Sequence, residues 1–344
     1  MGEMPGCMAT MTAPGPGSSP GPAPSPGPAR PPAAVRAGAV EPMARPPAVD
    51  LALLGVAVVA VSTAAPLIRV ADAPSLAVAF WRNALALPVL VAIVLAGRQR
   101  RRALRGLDAR ERRLSLVAGL FLAAHFATWV PSLSFTSVAS SVALVATQPV
   151  WAAVIARWRG EHVPRAAWQG IGTALAGVVV LSGVDLSIAP RALFGDLLAL
   201  VGGALAAAYV TVGAEVRRTV STTVYATVCY GVAALALGVV CAVGRQPLAG
   251  YDAATWLALL GTVAGPQLLG HTLVNRVLRT TSPMVVSVAI LFEIVGAALL
   301  AWLAFGEVPP ASALPAGVLI AAGVVLVVRA SPGEPAVSGA PALE

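Results

Sequence analysis

The chain has 344 residues, 58% of them hydrophobic and only 11% charged, with a mean hydropathy of +0.82. An ordinary soluble domain is about a quarter charged, so this composition excludes one and indicates a membrane protein. The net charge of +8 comes from arginine alone, scattered in short runs between apolar stretches, which argues for orientation in a bilayer and against a nucleic-acid partner.

Residues 1–49 hold 13 of the 29 prolines, among Gly, Ala and Ser. No apolar run there is long enough for the core of a signal peptide, and the segment is expected to be a disordered cytoplasmic tail. Met4, Met8, Met11 and Met43 leave a downstream start open. From there ten apolar stretches follow, at 51–70, 75–96, 114–133, 137–156, 166–183, 194–214, 222–244, 255–277, 283–304 and 312–329, and residues 330–344 form a second loose tail. A bilayer core about 30 Å thick needs roughly 20 apolar residues per helix. Lipid offers no hydrogen bonds to the backbone, and the stretches lack the alternation of barrel strands, so all ten are expected to be helices. Cys7, Cys229 and Cys241 suggest neither a disulfide framework nor a metal cluster.

Arginine tests the topology. With the N-terminal tail inside and the loops alternating, 19 arginines fall on the cytoplasmic side and 3 outside, while Arg82 lies within the second span. This bias supports ten spans with both termini cytoplasmic.

The chain also repeats itself at an offset of 146. "VAGLFLAAH" (117–125) returns as "VAGPQLLGH" (263–271), Asp50 as Asp196, Gly160-Glu161 as Gly306-Glu307, Pro164 as Pro310, Ser141-Val142-Ala143 as Ser287-Val288-Ala289, and Gly177-Val178-Val179 as Gly323-Val324-Val325. Agreement of Asp, Glu, His and Pro at one offset is not expected of an Ala/Val-rich background. The unit holds five spans, an odd number, so consecutive units enter the membrane from opposite sides. The fold class expected is an all-α integral membrane protein of ten transmembrane helices in two inverted five-helix repeats, 50–184 and 194–329, an arrangement typical of secondary transporters.

Three stretches carry a family resemblance: "AVAFWRNALALP", "SFTSVASSVALVATQPVWAAVIARWRGEHVP" and "TSPMVVSVAILFEIVGAALLAWLAFGEVPP". Over about residues 51–329 the chain resembles the drug/metabolite transporter superfamily, in particular its EamA-domain members. The second half departs from the pattern, because Glu293-Ile294 stands where the family has Glu-Pro. A helix break is therefore expected at Pro149 more than in span 9. The resemblance implies export of a small polar or amino-acid-like solute, and it implies that the last span of each half serves packing or contact within a homodimer.

Ionisable groups inside a membrane are costly and begin as functional candidates. Glu293 lies about 11 residues into span 9, about 16 Å deep at 1.5 Å per residue. It either binds a substrate amine or exchanges a proton, or it is hydrogen-bonded to a neighbouring helix. Its mates by position and by motif, Thr147 and Gln148, are neutral. His125 and His271 occupy matching positions, each in a stripe at helical spacing: Phe121, His125 and Trp129 in span 3, and Gln267, His271 and Asn275 in span 8. Such a stripe lines a cavity or bonds a partner helix, and Glu293, His271, His125, Gln267, Asn275, Trp129, Gln148 and Thr147 form the candidate substrate set. No third ligand stands near the histidines, so no metal or other cofactor is expected.

Structural roles are expected for Arg82, snorkelling to the outer surface or paired with a carboxylate. The same holds for Pro149 and Pro266 as helix kinks, Glu161 and Glu307 at helix ends, and Gly177 and Gly323 at close helix contacts. The chain has no phosphate-cradling G-x-x-x-x-G-K-[ST] loop and no H-E-x-x-H. The reading is a non-enzymatic secondary transporter of the plasma membrane whose partners are the bilayer and a small-molecule substrate. A membrane-embedded enzyme and a non-transporting sensor or partner subunit are the competing classes.

Overall fold

The computed structural model describes residues 48–136, 141, 144–182, 190–306 and 311–330. Most of both tails, the loop before residue 190, the first part of the fourth apolar stretch and Glu307 lie outside the described residues. The described chain is helical with no strand. Among the described residues six segments are long and apolar enough to cross a bilayer: Ala48–Val70, Ser75–Ala96, Ala109–Ser132, Pro190–Arg217, Thr222–Val243 and Ala253–Val277. Shorter apolar helices run over Pro283–Ala297 and Leu314–Ala330.

Local chemistry sets the helix ends. Asp108 and Glu111 close a capping box at the start of Ala109–Ser132, each side chain accepting the other's backbone N–H. Asp252 caps Ala253–Thr262 by accepting from the Thr255 N–H, and Ser282 caps Pro283–Ile290 by accepting from the Val285 N–H. The repeated Gly-Glu pair proves to be a helix stop. Gly160 and Gly306 both sit at positive φ, 82° and 69°, where a side chain is disfavoured, and they turn the chain out of Gln148–Trp158 and Phe292–Phe305. Glu161 pairs with Arg159 at 3.1 Å on the surface.

The arginine-bearing loops gather at one end of the bundle. There Arg110 Nη2 meets Glu215 at 2.6 Å, Thr219 Oγ1 donates to Glu111, and Thr280 Oγ1 donates to Asp50 at 2.6 Å. At the other end Thr136 Oγ1 donates to Asp196 at 2.7 Å, Ser75 bonds Ser134, and the Asp72 N–H donates to Thr255 Oγ1. The matched residues Asp50 and Asp196 thus hold threonines at opposite ends.

The halves exchange partners as they pack. Ala109–Ser132 lies on Pro190–Arg217 of the other half, and Val263–Val277 lies on Ala48–Ser62. Arg165–Ser182 lies on Ala313–Ala330, with Gly170, Gly177 and Gly323 at the contact. A Cβ on Gly323 would stand 2.5 Å from the Gly170 carbonyl oxygen, and one on Gly177 would stand 2.7 Å from that of Ala316, so only glycine permits this approach.

The buried residues form two apolar clusters. One is built by Ala48–Ser132 and Pro190–Val277 with parts of Pro283–Ile290, the other by Gln148–Ser182, the two helices after Ser282 and Ala313–Ala330. Two helices are interrupted where the clusters meet. The chain passes through an i→i+3 turn at Thr147 (Val150 N–H to Thr147 O) and another at Leu291 (Ile294 N–H to Leu291 O). Pro149 accounts for the first: it has no N–H for the Val145 carbonyl and occupies the first turn of Gln148–Trp158 instead of kinking a helix. The second, less expected from the sequence, follows from packing. Pro283–Ile290 rests on Gln148–Trp158, whereas Phe292–Phe305 rests on Ala48–Ser62, with Gly296 pressed against Ser62.

Candidate functional site

A cavity of about 90 Å³ opens between the two clusters, bordered by both interruptions. It is well below the roughly 300 Å³ of a pocket for a drug-sized ligand. Its polar lining comprises Arg82, His125, Trp129, Gln148, Tyr209, His271, Ser287 and Glu293, set among Val, Ala, Ile and Leu side chains.

Arg82 does not snorkel. It is 1% exposed and its guanidinium turns inward, with Cζ 4.1 Å from the centre of the Phe126 ring. Nε donates to Gln267 Oε1 at 3.0 Å, and Gln267 Nε2 donates to Asn83 Oδ1 at 2.9 Å. Arginine only donates, so the Gln267 amide orientation is fixed. Nη1 has no hydrogen-bond partner, an open donor in a low-dielectric site.

Glu293, in the first turn of Phe292–Phe305, lines the same cavity. The ion pairs Arg110–Glu215, Arg159–Glu161 and Arg159–Glu215 all lie at the arginine-rich end, and none joins Glu293 to Arg82. The two are close enough to interact electrostatically, yet each keeps hydrogen-bonding capacity for a third party. The cavity is therefore bipolar, with a guanidinium donor on one wall and a carboxyl on another.

Both histidines reach it. His125 Nδ1 stands 2.9 Å from the Gly202 carbonyl. A carbonyl only accepts, so Nδ1 carries the proton and Nε2 keeps its lone pair. The ring stacks on Trp129, 5.7 Å between centres and 6° between planes, while Trp129 Nε1 has no partner. His271 meets Phe126 and Tyr209 edge to face at 5.7 and 6.4 Å.

The stripe Gln267, His271, Asn275 divides. Residues Val263–His271 form a π-helix, whose i→i+5 bonding widens each turn, so positions four apart no longer superpose. Pro266 lies inside it, lacking the N–H an α-helical turn would use. Gln267, fully buried, faces Arg82 and Asn83. Asn275, also fully buried, accepts from the Tyr209 hydroxyl at 2.8 Å and gives its backbone carbonyl to Arg217 Nε. Thr147 donates to the Leu144 carbonyl and accepts from Trp151 Nε1. Of the candidate substrate set, Glu293, His271, His125, Trp129 and Gln148 line the cavity and Gln267, Asn275 and Thr147 do not. Pro266 lines it as well.

Sequence reasoning missed two lining residues. Tyr209 carries no sequence signal beyond being one of four tyrosines. Ser287 was legible through its match to Ser141, and it accepts from Gln148 Nε2 at 3.0 Å, joining the two interrupted segments across the halves.

The sequence matches the model of the EamA-like transporter family twice, over residues 47–183 and 193–329. The chain is thus a two-repeat helical membrane protein. No curated protein matches it. A solved crystal structure is similar at 21% sequence identity with a TM-score of 0.66, covering 81% of this chain and 97% of that one; at that identity the likeness bears on the fold alone.

Proposed function

The chain belongs to the EamA-like transporter family, and from that premise we propose that it is a secondary transporter exporting a small zwitterionic, amino-acid-like solute across the plasma membrane by alternating access. The observation that carries this reading is the bipolar cavity between the halves. Arg82 Nη1, without a protein partner, accommodates a solute carboxylate, and the Glu293 carboxyl accommodates its ammonium. The His125 Nε2 lone pair and the Trp129 Nε1 donor add one acceptor and one donor for polar substituents. Sites at the interface of repeats, next to interrupted helices, suit transporters because rocking one half against the other exposes them to either side.

In this reading all ten apolar stretches cross the bilayer in two inverted sets of five. The arginine-rich end faces the cytoplasm, as the 19 to 3 distribution supports. The small cavity suits an occluded or ligand-free state that widens on opening. In this reading a solute gradient, alone or with protons, drives the cycle.

The test is counterflow in proteoliposomes preloaded with unlabelled neutral amino acids, with nucleobases and lipophilic cations as controls. Accelerated uptake of labelled zwitterion, competed by other zwitterions and not by cations, is the expected result. Absence of flux for every class would overturn the reading.

A further inference from the structure

A second cavity, of about 690 Å³, lies at the arginine-rich end, away from Arg82 and Glu293. Its polar wall contains Arg100, Arg276 and the run Ser221-Thr222-Thr223, and the rest of its wall includes Val49, Leu53, Leu107, Val220 and Leu273. Ser221 stands at the N-cap of the 22-residue helix Thr222–Val243 with extended geometry, φ −63° and ψ 149°, yet makes no capping bond. Its Oγ is buried and without a partner. The first backbone bond of that helix runs from the Tyr225 N–H to the Ser221 carbonyl, so the N–H groups of residues 222–224 have no intrahelical acceptor. Thr222 Oγ1 accepts from Arg217 Nη2 at 2.6 Å, which leaves its own hydroxyl proton free to donate. Arg217 is only 3% exposed, and its Nη1 also has no partner.

An array of donors around a cationic cluster, at a helix N-terminus, is the chemistry that binds a phosphate. Glu111, the carboxylate on the rim, is already engaged by Thr219 Oγ1 and by the Asp108 N–H. The helix Arg98–Arg105, "RQRRRALR", carries five arginines and no acid, and of these Arg100 lines the cavity. Basic pockets between helices at a cytoplasmic membrane face take anionic headgroups. The apolar part of the wall would be wasted on a free inorganic anion and suits the glycerol and first methylenes of an acyl chain.

We propose that this cavity binds the phosphate of an anionic phospholipid headgroup between Arg100, Arg276 and the N-terminus of Thr222–Val243. The inference rests on this end of the bundle alone and holds whatever the protein transports.

The experiment uses the full chain purified in a neutral detergent. Thermal unfolding and native mass spectrometry follow the addition of dioleoyl phosphatidylglycerol, dioleoyl phosphatidylcholine or inorganic phosphate. Phosphatidylglycerol is expected to raise the unfolding temperature saturably and to persist as one or two bound copies, whereas phosphatidylcholine and inorganic phosphate leave it unmoved. Arg100→Ala/Arg276→Ala is expected to weaken the effect at least tenfold. Arg98→Ala/Arg102→Ala removes the same charge from the same end without touching the cavity and is expected to weaken it less than threefold. All four side chains reach the surface, so folding should survive. Equal weakening by the two pairs would show general surface attraction and overturn the site, and equal stabilisation by inorganic phosphate would overturn the lipid assignment.

Discussion

The two copies of one nine-residue phrase have diverged in structure as much as in sequence. Val117–His125 runs inside a continuous α-helix, Ala109–Ser132, and Gly119 there fits against the Cys229 carbonyl and Val232, so that a Cβ would meet them at 2.7–2.8 Å. Val263–His271 is a π-helix containing Pro266, and Gly270 fits against Val61. The first copy presents an apolar neighbour, Phe121, where the second presents Gln267, which holds Arg82 in the core. Both histidines still reach one cavity. The two copies thus meet at one cavity, and only the second holds a buried cation through this position. Wide-turn helices recur at functional sites, and here the wide turn redirects the polar stripe.

The comparison predicts unequal consequences for equivalent substitutions. The largest effect is expected for Arg82→Met, which keeps the apolar stem and removes the guanidinium. Flux should disappear, and thermal unfolding in detergent should report a loss of about 3 kcal/mol, because Gln267 Oε1 loses its donor in the core. A stable, fully active Arg82→Met protein would mean that the buried cation serves neither purpose.

Next come the position mates Glu293 and Thr147. Glu293→Gln should slow zwitterion counterflow at least about tenfold, equivalent to about 1.4 kcal/mol, with unfolding little changed. Thr147→Val should keep flux within about twofold, since Thr147 serves its own helix. Wild-type flux in Glu293→Gln from pH 5 to 8 would remove the carboxyl from the mechanism.

A third contrast concerns Gln267 and its mate Phe121. Gln267→Leu strands Arg82 Nε and Asn83 Oδ1 in the core, a cost of about 1–3 kcal/mol, whereas Phe121→Leu should cost less than about 1.5 kcal/mol. Equal shifts in unfolding temperature would argue that the two copies are energetically alike. The smallest effect belongs to Pro266→Ala. Restoring an N–H should move stability by less than about 1 kcal/mol but weaken solute affinity a few-fold as the wide turn tightens. Unchanged affinity would mean that neighbouring helices alone maintain the turn.

Much of the architecture was legible before any coordinates. The 146-residue offset defined the halves, the arginine runs marked the loops that gather at one end, and the paired histidines pointed to the cavity. Gly160-Glu161 and Gly306-Glu307 were recognisable as helix ends, and the left-handed glycines Gly160 and Gly306 make the stops. The stripe on span 8 left a cavity and a partner helix both open, because periodicity assumes one helical geometry throughout, and the wide turn divides the stripe between the two. Arg82 stayed open in the sequence, because an arginine two turns from a surface can face either way, and which way depends on whether another helix offers an acceptor.

What the sequence by itself determined is the helical, two-fold repeated scaffold. A bilayer forces apolar stretches of that length to satisfy their own backbone, and the repeat at one offset marks two copies of one unit. Only the tertiary structure decided the site. The inward Arg82 and the separation of Gln267 and Asn275 from the cavity follow from partners 66 to 185 residues away, the turn at Leu291 follows from distant helices packed on either side of it, and local pattern carries no information about such contacts.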